Sequence, residues 1–274
     1  MHLPRWHRHF SRDASQVGLF ILLLLLGGAA VYAGALAMPY RWQWHRVTPY
    51  LYKTFEGEAY AGPLIKGLGV TMSISAAGFV VALAAGLIAA VLLLSSSVVG
   101  RAVARAYVEM IRNTPLLVQL YLFYFVVAPI LGIGRETIGI LALGLFEGAF
   151  AAEIIRAGIL AVPAGQTEAA LSLGLGRGYV YRFVILPQAL RIVLPPLTSL
   201  SISIVKHSAI VSAIAIFDLA NEGRNIIADT FMTFEIWLTV AGIYLVVTTI
   251  MSQFAAALER RLARGRAGSF HMEA

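Results

Sequence analysis

Six apolar blocks, each long enough to cross a lipid bilayer as a helix, constrain this chain more than any other feature: residues 18–38, 67–94, 114–133, 137–161, 190–217 and 234–258. A helix rises 1.5 Å per residue, so about 20 mostly apolar residues span the hydrocarbon layer. The blocks show no apolar/polar alternation, which argues against membrane strands. Helices also satisfy every backbone polar group within lipid. Composition agrees: 59% of residues are hydrophobic and only 13% charged. A water-soluble domain carries about twice that charged fraction. The expected fold class is therefore an all-α integral membrane protein with about six transmembrane helices.

The net charge of +7 has an explanation that needs no nucleic acid. With the N-terminus inside, cytoplasmic segments hold Arg5, Arg8, Arg12, Arg101, Arg105, Arg112, Arg177, Arg182, Arg260, Arg261, Arg264 and Arg266. The outer segments hold Arg41, Arg46, Lys53, Lys66, Arg135 and Arg224. The excess places both termini in the cytoplasm. No aromatic residues interleave with basic runs in a polar domain, so a nucleic-acid partner is not expected. The chain has no cysteine, which excludes disulfides and thiolate metal sites.

The first block follows three arginines and ends near Ala35-Leu36-Ala37, a pattern that also fits a cleavable secretion signal. Its apolar run reaches about 20 residues against the 7–15 of a signal core, which favours a retained anchor. Residues 1–17 then form a cytoplasmic tail, and 18–38 an N-terminal transmembrane helix. In residues 39–66, Trp42, Trp44, Tyr50, Tyr52 and Tyr60 suit a periplasmic segment at the membrane interface. Residues 259–274 form a second cytoplasmic tail.

Local signals mark individual spans. Thr114 is expected to cap the third, with Pro115 at its first helical position. Gly144 and Gly148 in the fourth have the spacing that admits a close helix neighbour. Residues 162–188 are long for a structureless connection. Within them, 166–173 are good helix formers, Gly174, Gly176 and Gly178 end that helix, and 179–185 form a second short helix that Pro187 terminates. Ala169 and Ala170 give the first helix a small-residue face. Such a unit either docks another protein or rests on the bilayer.

Glu168-Ala169-Ala170, Gly174 and Ile185-Leu186-Pro187 resemble the EAA loop of ABC-importer permeases. The string GQTEAALSLGL…VILPQALRIVLPPL is similar to the subgroup that imports polar amino acids of the histidine, glutamine and glutamate type. Two further segments resemble it: Glu109 to Leu120, with Arg112, Thr114, Pro115 and Gln119, and Ala152 to Gly158, with Glu153 and Arg156. The likeness covers 67–258. It implies a type I ABC-importer transmembrane domain of five core helices preceded by one extra helix, multi-pass in the cell inner membrane. It also implies that Glu168, Ala169, Ala170 and Gly174 couple the chain to a separate ATPase. The expected partners are an ATP-binding subunit dimer, a second permease (identical or related), a periplasmic solute-binding protein and membrane lipid. No cofactor is expected in this chain. GLGRG lacks GxxxxGK[ST], so ATP–Mg belongs on the ATPase.

Ionisable groups within the spans are candidates for the translocation pathway, because each costs at least a few kcal/mol in lipid and tends to face a cavity or a partner. These are Glu147 and Glu153 in the fourth span, and Lys206 and His207 in the fifth. Glu147 and Lys206 are placed to neutralise one another, and a pair that merely sets helix register is an equal alternative. Ser199, Ser203 and Lys206 share one helix face. Arg112, Thr114 and Gln119 complete the set, although a glutamine in an apolar span is more often interhelical glue. The subgroup typically has Lys-Asp-Thr-Ser-Leu where this chain has Lys206-His207-Ser208-Ala209-Ile210. Losing that acid removes a charge able to hold a substrate ammonium, which Glu147 is expected to replace. The competing classes are weaker. A secondary transporter or channel driven by an ion gradient predicts inverted repeats that are not evident. An intramembrane enzyme needs a metal or nucleophile cluster, and none stands out.

Overall fold

The computed structural model describes residues 6–38 and 40–267, with side chains in 16–38, 40–54 and 56–260. Arg5, Pro39 and the side chains of Arg8, Arg12, Arg261, Arg264 and Arg266 lie outside the described residues. Contacts divide the chain into two compact units, Met1–Gln43 and Trp44–Ala274.

In the first unit, α1 (Trp6–Ala37) carries an uninterrupted apolar stretch from Gln16 to Ala37. A helix apolar on every side suits lipid. Beyond it, the Tyr40 and Trp42 rings meet edge to face at 5.3 Å.

The second unit opens with a 3₁₀ turn (Trp44–Arg46), α2 (Thr48–Leu51) and a hairpin of β1 (Tyr52–Phe55) and β2 (Glu58–Ala61). The strands pair antiparallel, Tyr52 with Ala61 and Phe55 with Glu58. Glu56 and Gly57 turn the chain at positive φ. This hairpin is a small departure from the all-α expectation. Two four-residue strands around the Glu56-Gly57 turn satisfy each other's backbone hydrogen bonds.

Helices α3 (Pro63–Leu94), α4 (Val98–Arg112), α5 (Leu116–Leu122), α6 (Ala128–Leu131) and α7 (Arg135–Leu160) follow. A π-helical turn, Phe123–Val127, joins α5 to α6. Helices α3 and α7 form the tightest pair. A Cβ added to Gly86 would stand 2.5 Å from the Ala151 Cβ, and one on Gly144 would stand 2.6 Å from Val81. The predicted Gly144/Gly148 face therefore packs on α3. Around this seam sits a core of Ile74, Ala82, Leu143, Ala151, Leu200 and Ile204.

Among the described residues, five helices are long and apolar enough to cross a membrane, in Gln16–Ala37, Pro63–Leu94, Arg135–Leu160, Arg177–Ile214 and Thr233–Arg260. A sixth crossing exists if α4 and the α5–α6 rod, bent by 111°, make one broken span. The expected third span thus begins at a corner, after an amphipathic helix that the apolar-run criterion passed over. Ser97 caps that helix by accepting from the Gly100 N–H at 3.0 Å. The expected Thr114 cap is corrected. Pro115 occupies the cap position of α5 and makes no side-chain cap bond. The Thr114 hydroxyl instead donates to the Met110 carbonyl at 2.8 Å, in the last turn of α4.

Next come α8 (Ala164–Ser172), α9 (Arg177–Tyr179), a π-helical turn (Val180–Ile185) and α10 (Leu186–His207). Pro187 does not end a short helix, as expected; the helical run continues from Arg177 to Ile214. The widened turn before Pro187 absorbs the missing donor. Gln188 Nε2 donates to the Val184 carbonyl there at 2.9 Å. A 3₁₀ segment (Ser208–Ile214) ends at left-handed Ala215. Then α11 (Leu219–Thr230) precedes α12 (Thr233–Ala267). Most of the stretch between the fifth and sixth apolar blocks is α11, which Asp218 caps by accepting from the Asn221 N–H at 2.9 Å.

Candidate functional site

Two regions carry the predicted residues. The first is the hook between α7 and α10. Ala170, Val162, Val180, Ile185 and Ala189 form a separate apolar cluster that clamps α8 onto the foot of the long helix. The α8 end is closed by Gly174 N–H donating to Leu171 O (2.9 Å) and Leu175 N–H to Ala170 O (3.3 Å). Gly174 sits at φ +80, where a side chain is strained, so its glycine identity follows from the turn. Of the predicted coupling residues, Ala170 faces inward as an anchor, while Glu168 and Ala169 are exposed. Leu173 is 83% exposed at the tip. A cleft of about 330 Å³ is lined by Gly178, Tyr179, Arg182 and Phe183. The hook is a compact element packed on its own apolar cluster, with Glu168 and Ala169 exposed and an apolar tip.

The second region is the seam between α7 and α10. Glu147 is buried, and its Oε1 lies 2.5 Å from His207 Nδ1. The histidine side chain is 44% exposed, whereas that of Glu147 is 3% exposed. Glu147 is therefore joined to His207 rather than to Lys206, the residue placed opposite it by sequence reasoning. Lys206 points elsewhere and is exposed. Successive residues on a helix diverge by about 100°, so only one of the two faces α7. The Phe146 ring meets the imidazole edge to face at 6.0 Å. Ser203, one turn before His207, is half-buried.

The remaining candidates separate from this pair. Glu153 and Arg156 bond each other at 2.9 Å along α7. Arg112 lies 5.5 Å over the Phe150 ring, a cation–π contact tying α4 to α7. Gln119 is buried at the α4–α5 corner. Its Nε2 donates to the Ile111 carbonyl (2.8 Å), the Thr114 carbonyl (3.1 Å) and the Thr114 hydroxyl (2.6 Å). Gln119 and Thr114 thus hold the corner together.

A polar cluster that sequence reasoning did not assemble lies near the end of α3. Thr71 Oγ1 accepts from the Leu219 N–H at 3.1 Å, and Arg224 Nη2 donates to the Ser212 carbonyl at 2.6 Å, joining α3, the 3₁₀ segment and α11. Asp218 is fully buried here, and its Oδ2 has no partner. Burial pushes its carboxyl up to about 6, against the opposing pull of backbone N–H donors and Arg224. Burial also raises Glu222, which Lys66 partly offsets. The acidic spacing of 218 and 222 was the available signal, but it does not distinguish a cap from a loop. Among the described residues no cluster of three or more His, Asp or Glu is set to hold a metal.

The described fold combines long apolar helices, one sharply bent helix pair and a compact helical hook between α7 and α10. Residues 61–264 match the family described as "Binding-protein-dependent transport system inner membrane component". The chain is 37% identical over 202 residues to the glutamine transport system permease protein GlnP of Escherichia coli K12, covering 73% of this chain and 92% of that one. It is 31% identical over 224 residues to the octopine transport system permease protein OccQ of Rhizobium radiobacter, covering 77% and 94%. The crystal structure of an amino acid ABC transporter with histidines superposes with a TM-score of 0.69 at 40% identity, over 73% of this chain and 94% of that one. The chain belongs to the inner-membrane component family of binding-protein-dependent transport systems, and is a multi-pass permease subunit of an ABC importer. Its relatives are transporter permeases rather than enzymes, and the family works with an ATPase and a binding protein.

Proposed function

We propose that this chain is the permease of an importer for polar amino acids, pairing with a second permease around a central pathway. The supporting likenesses are to glutamine, octopine and glutamate/aspartate permeases. The observation that carries the reading is the compact hook in a chain 40% identical to an amino acid ABC transporter. ATP–Mg binds and is hydrolysed on a separate ATPase dimer, and this chain hydrolyses nothing. Each ATPase receives one hook, with Glu168 and Ala169 at the contact, Leu173 at its tip, and Ala170 and Gly174 keeping its shape. Because the clamp under α8 is continuous with the foot of α10, a push on the hook moves α10 as a lever. That motion opens and closes a pathway along α7 and α10, with Glu147, Glu153, Ser203, Lys206 and His207 as its candidate residues. The hook and both tails face the cytoplasm, residues 39–66 lie at the periplasmic interface, and a periplasmic binding protein delivers the solute.

The test is uptake by vesicles holding the permease, its cognate ATPase and binding protein. Radiolabelled L-glutamine, L-glutamate and L-arginine serve as solutes. Uptake of at least one should require ATP inside the ATPase compartment. Glu168→Lys should remove most of the stimulation of ATP hydrolysis by loaded binding protein while the permease still folds. Unaltered stimulation in that variant would reject the hook as the coupling element.

A further inference from the structure

Helix α4 (Val98–Arg112) leaves an apolar stripe uncovered. Val99 is 73% exposed, Val103 59% and Met110 66%, with Ala106 exposed between them. These four recur at i, i+4, i+7 and i+11, and so share one face. Arg101, Arg105 and Arg112 recur at i, i+4 and i+11 on a second face. A third face, with Ala104 and Val108, packs into a cluster with Ala89 of α3 and Ala152 of α7. That third face holds α4 to its own chain, and the stripe points away from it.

The bend after α4 sets how the stripe meets the bilayer. At 111°, α4 stands close to perpendicular to the α5–α6 rod, so a rod that crosses the membrane leaves α4 running along its surface. Depth agrees with this. The Tyr107 hydroxyl donates to the Leu145 carbonyl at 2.6 Å, and Arg112 lies 5.5 Å over the Phe150 ring. Both contacts fall on α7 before Glu153 and Arg156, where its apolar run gives way to charge. The cations are available as well. Arg101 gives one nitrogen to the Ser95 carbonyl at 2.6 Å, which leaves most of its donors unused. Arg105 is exposed and makes no ion pair among the described residues.

We propose that α4 is an interfacial helix that binds anionic phospholipid, with Val99, Val103, Ala106 and Met110 in the acyl layer and Arg101 and Arg105 on the headgroup phosphates. A helix with one aliphatic face and one basic face lies in the plane of a bilayer for this reason. The long arginine stems run back along the helix to reach phosphate, and the guanidinium fork matches its oxygens. A second copy of this chain fits the stripe less well. Two α4 helices meeting about a two-fold axis would set arginine against arginine. The stripe also lacks the aromatic anchors on which protein partners rely. Lipid held here braces the entry to the α5–α6 rod, because α4 leads into it through the Thr114–Gln119 corner. The inference concerns the bilayer, and it holds whichever solute the permease carries.

The chain has no cysteine, so one introduced for a nitroxide label is unique in it. The complex of permease with a cysteine-free ATPase, carrying labelled Val103→Cys or Arg105→Cys, is reconstituted in vesicles of phosphatidylcholine and phosphatidylglycerol. Relaxation of the label by oxygen, which concentrates in lipid, is compared with relaxation by a water-soluble nickel chelate. The label at 103 should respond mainly to oxygen and the label at 105 mainly to nickel. A label at 103 shielded from both reagents would mean that protein covers the stripe, and one open to nickel would mean that water does; either result overturns the proposal. The headgroup is tested on the complex without labels. Phosphatidylglycerol and phosphatidylcholine are titrated onto it in detergent, and native mass spectrometry reads the affinity of the tightest lipid. The wild-type complex should prefer phosphatidylglycerol. Arg105→Gln should lower that affinity about fivefold, the scale of one arginine at an anionic surface, and leave phosphatidylcholine unchanged. Equal wild-type affinities for the two lipids overturn the assignment without needing any variant to fold. Undiminished phosphatidylglycerol binding by Arg105→Gln also overturns it.

Discussion

At the scale of single residues, burial sorts polar groups into those with partners and those without. Gln119 places one amide nitrogen among three acceptors at a helix corner, and this turns an expected pathway residue into a structural one. Its amide oxygen is nevertheless buried without a partner, a feature that Asp218 shares. One oxygen caps α11 and the other is buried without a partner. Its carboxyl rises from 3.8 to about 6 because burial disfavours the anion. An acid whose pKa is higher in the folded state binds its proton more tightly when folded. Its destabilising effect is therefore absent below about pH 4, grows between 4 and 6, and is complete above 6. Asp218→Asn keeps the capping oxygen and removes the charge. It should raise the unfolding temperature of the purified complex at pH 8 by the equivalent of about 2 kcal/mol, and leave it nearly unchanged at pH 4. A lower unfolding temperature at pH 8 would show that the anion is stabilising in place.

At the scale of elements, close backbone approach explains how so apolar a chain acquires a specific core. Lipid competes equally well for a leucine, so helices in a membrane choose neighbours by fit rather than by apolarity. The α3–α7 seam depends on Gly78, Gly86, Gly144 and Gly148, where an added Cβ would meet its neighbours at or inside van der Waals contact. Gly86→Val should push the helices apart, since the first added carbon already lies 2.5 Å from Ala151. The expected outcome is loss of most folded permease, read by size-exclusion chromatography of detergent extracts. Gly69→Val, a glycine with open space around it, should give wild-type yield. Similar yields for the two variants would disprove the seam. The hook follows a different rule. Its cluster of Val162, Ala170, Val180, Ile185 and Ala189 is outside the main core, so it holds its own shape while remaining attached to α10.

At the scale of the whole molecule, the division of labour has one consequence that separates this class from the gradient-driven alternative. Vesicles carrying only this permease, with a sodium or proton gradient and labelled amino acid, should show no uptake above empty vesicles. Adding the cognate ATPase, binding protein and ATP should start it. Uptake by the permease alone that follows the gradient and ignores nucleotide would place the chain among secondary transporters.

Much of this organisation was readable without coordinates, and the physical reason is the solvent. Lipid tolerates only long apolar helices, so their number, their approximate limits and the unusual connection at 162–188 follow from residue order alone. The family resemblance also needed only short strings around Glu109, Glu153 and Glu168. Tertiary structure decided the rest wherever a residue had several chemically acceptable partners. Sequence reasoning placed Lys206 opposite Glu147, and helix rotation brought His207 there instead. Thr114 had a capping role open to it until the 111° corner brought Met110 and Gln119 within reach. Pro187 reads as a helix end until a widened turn accommodates it, and Asp218 reads as a loop acid until α3 buries it. Apolar pattern is written along the chain. The pairing of polar groups depends on which faces meet across it, and in a low-dielectric interior that pairing carries the chemistry.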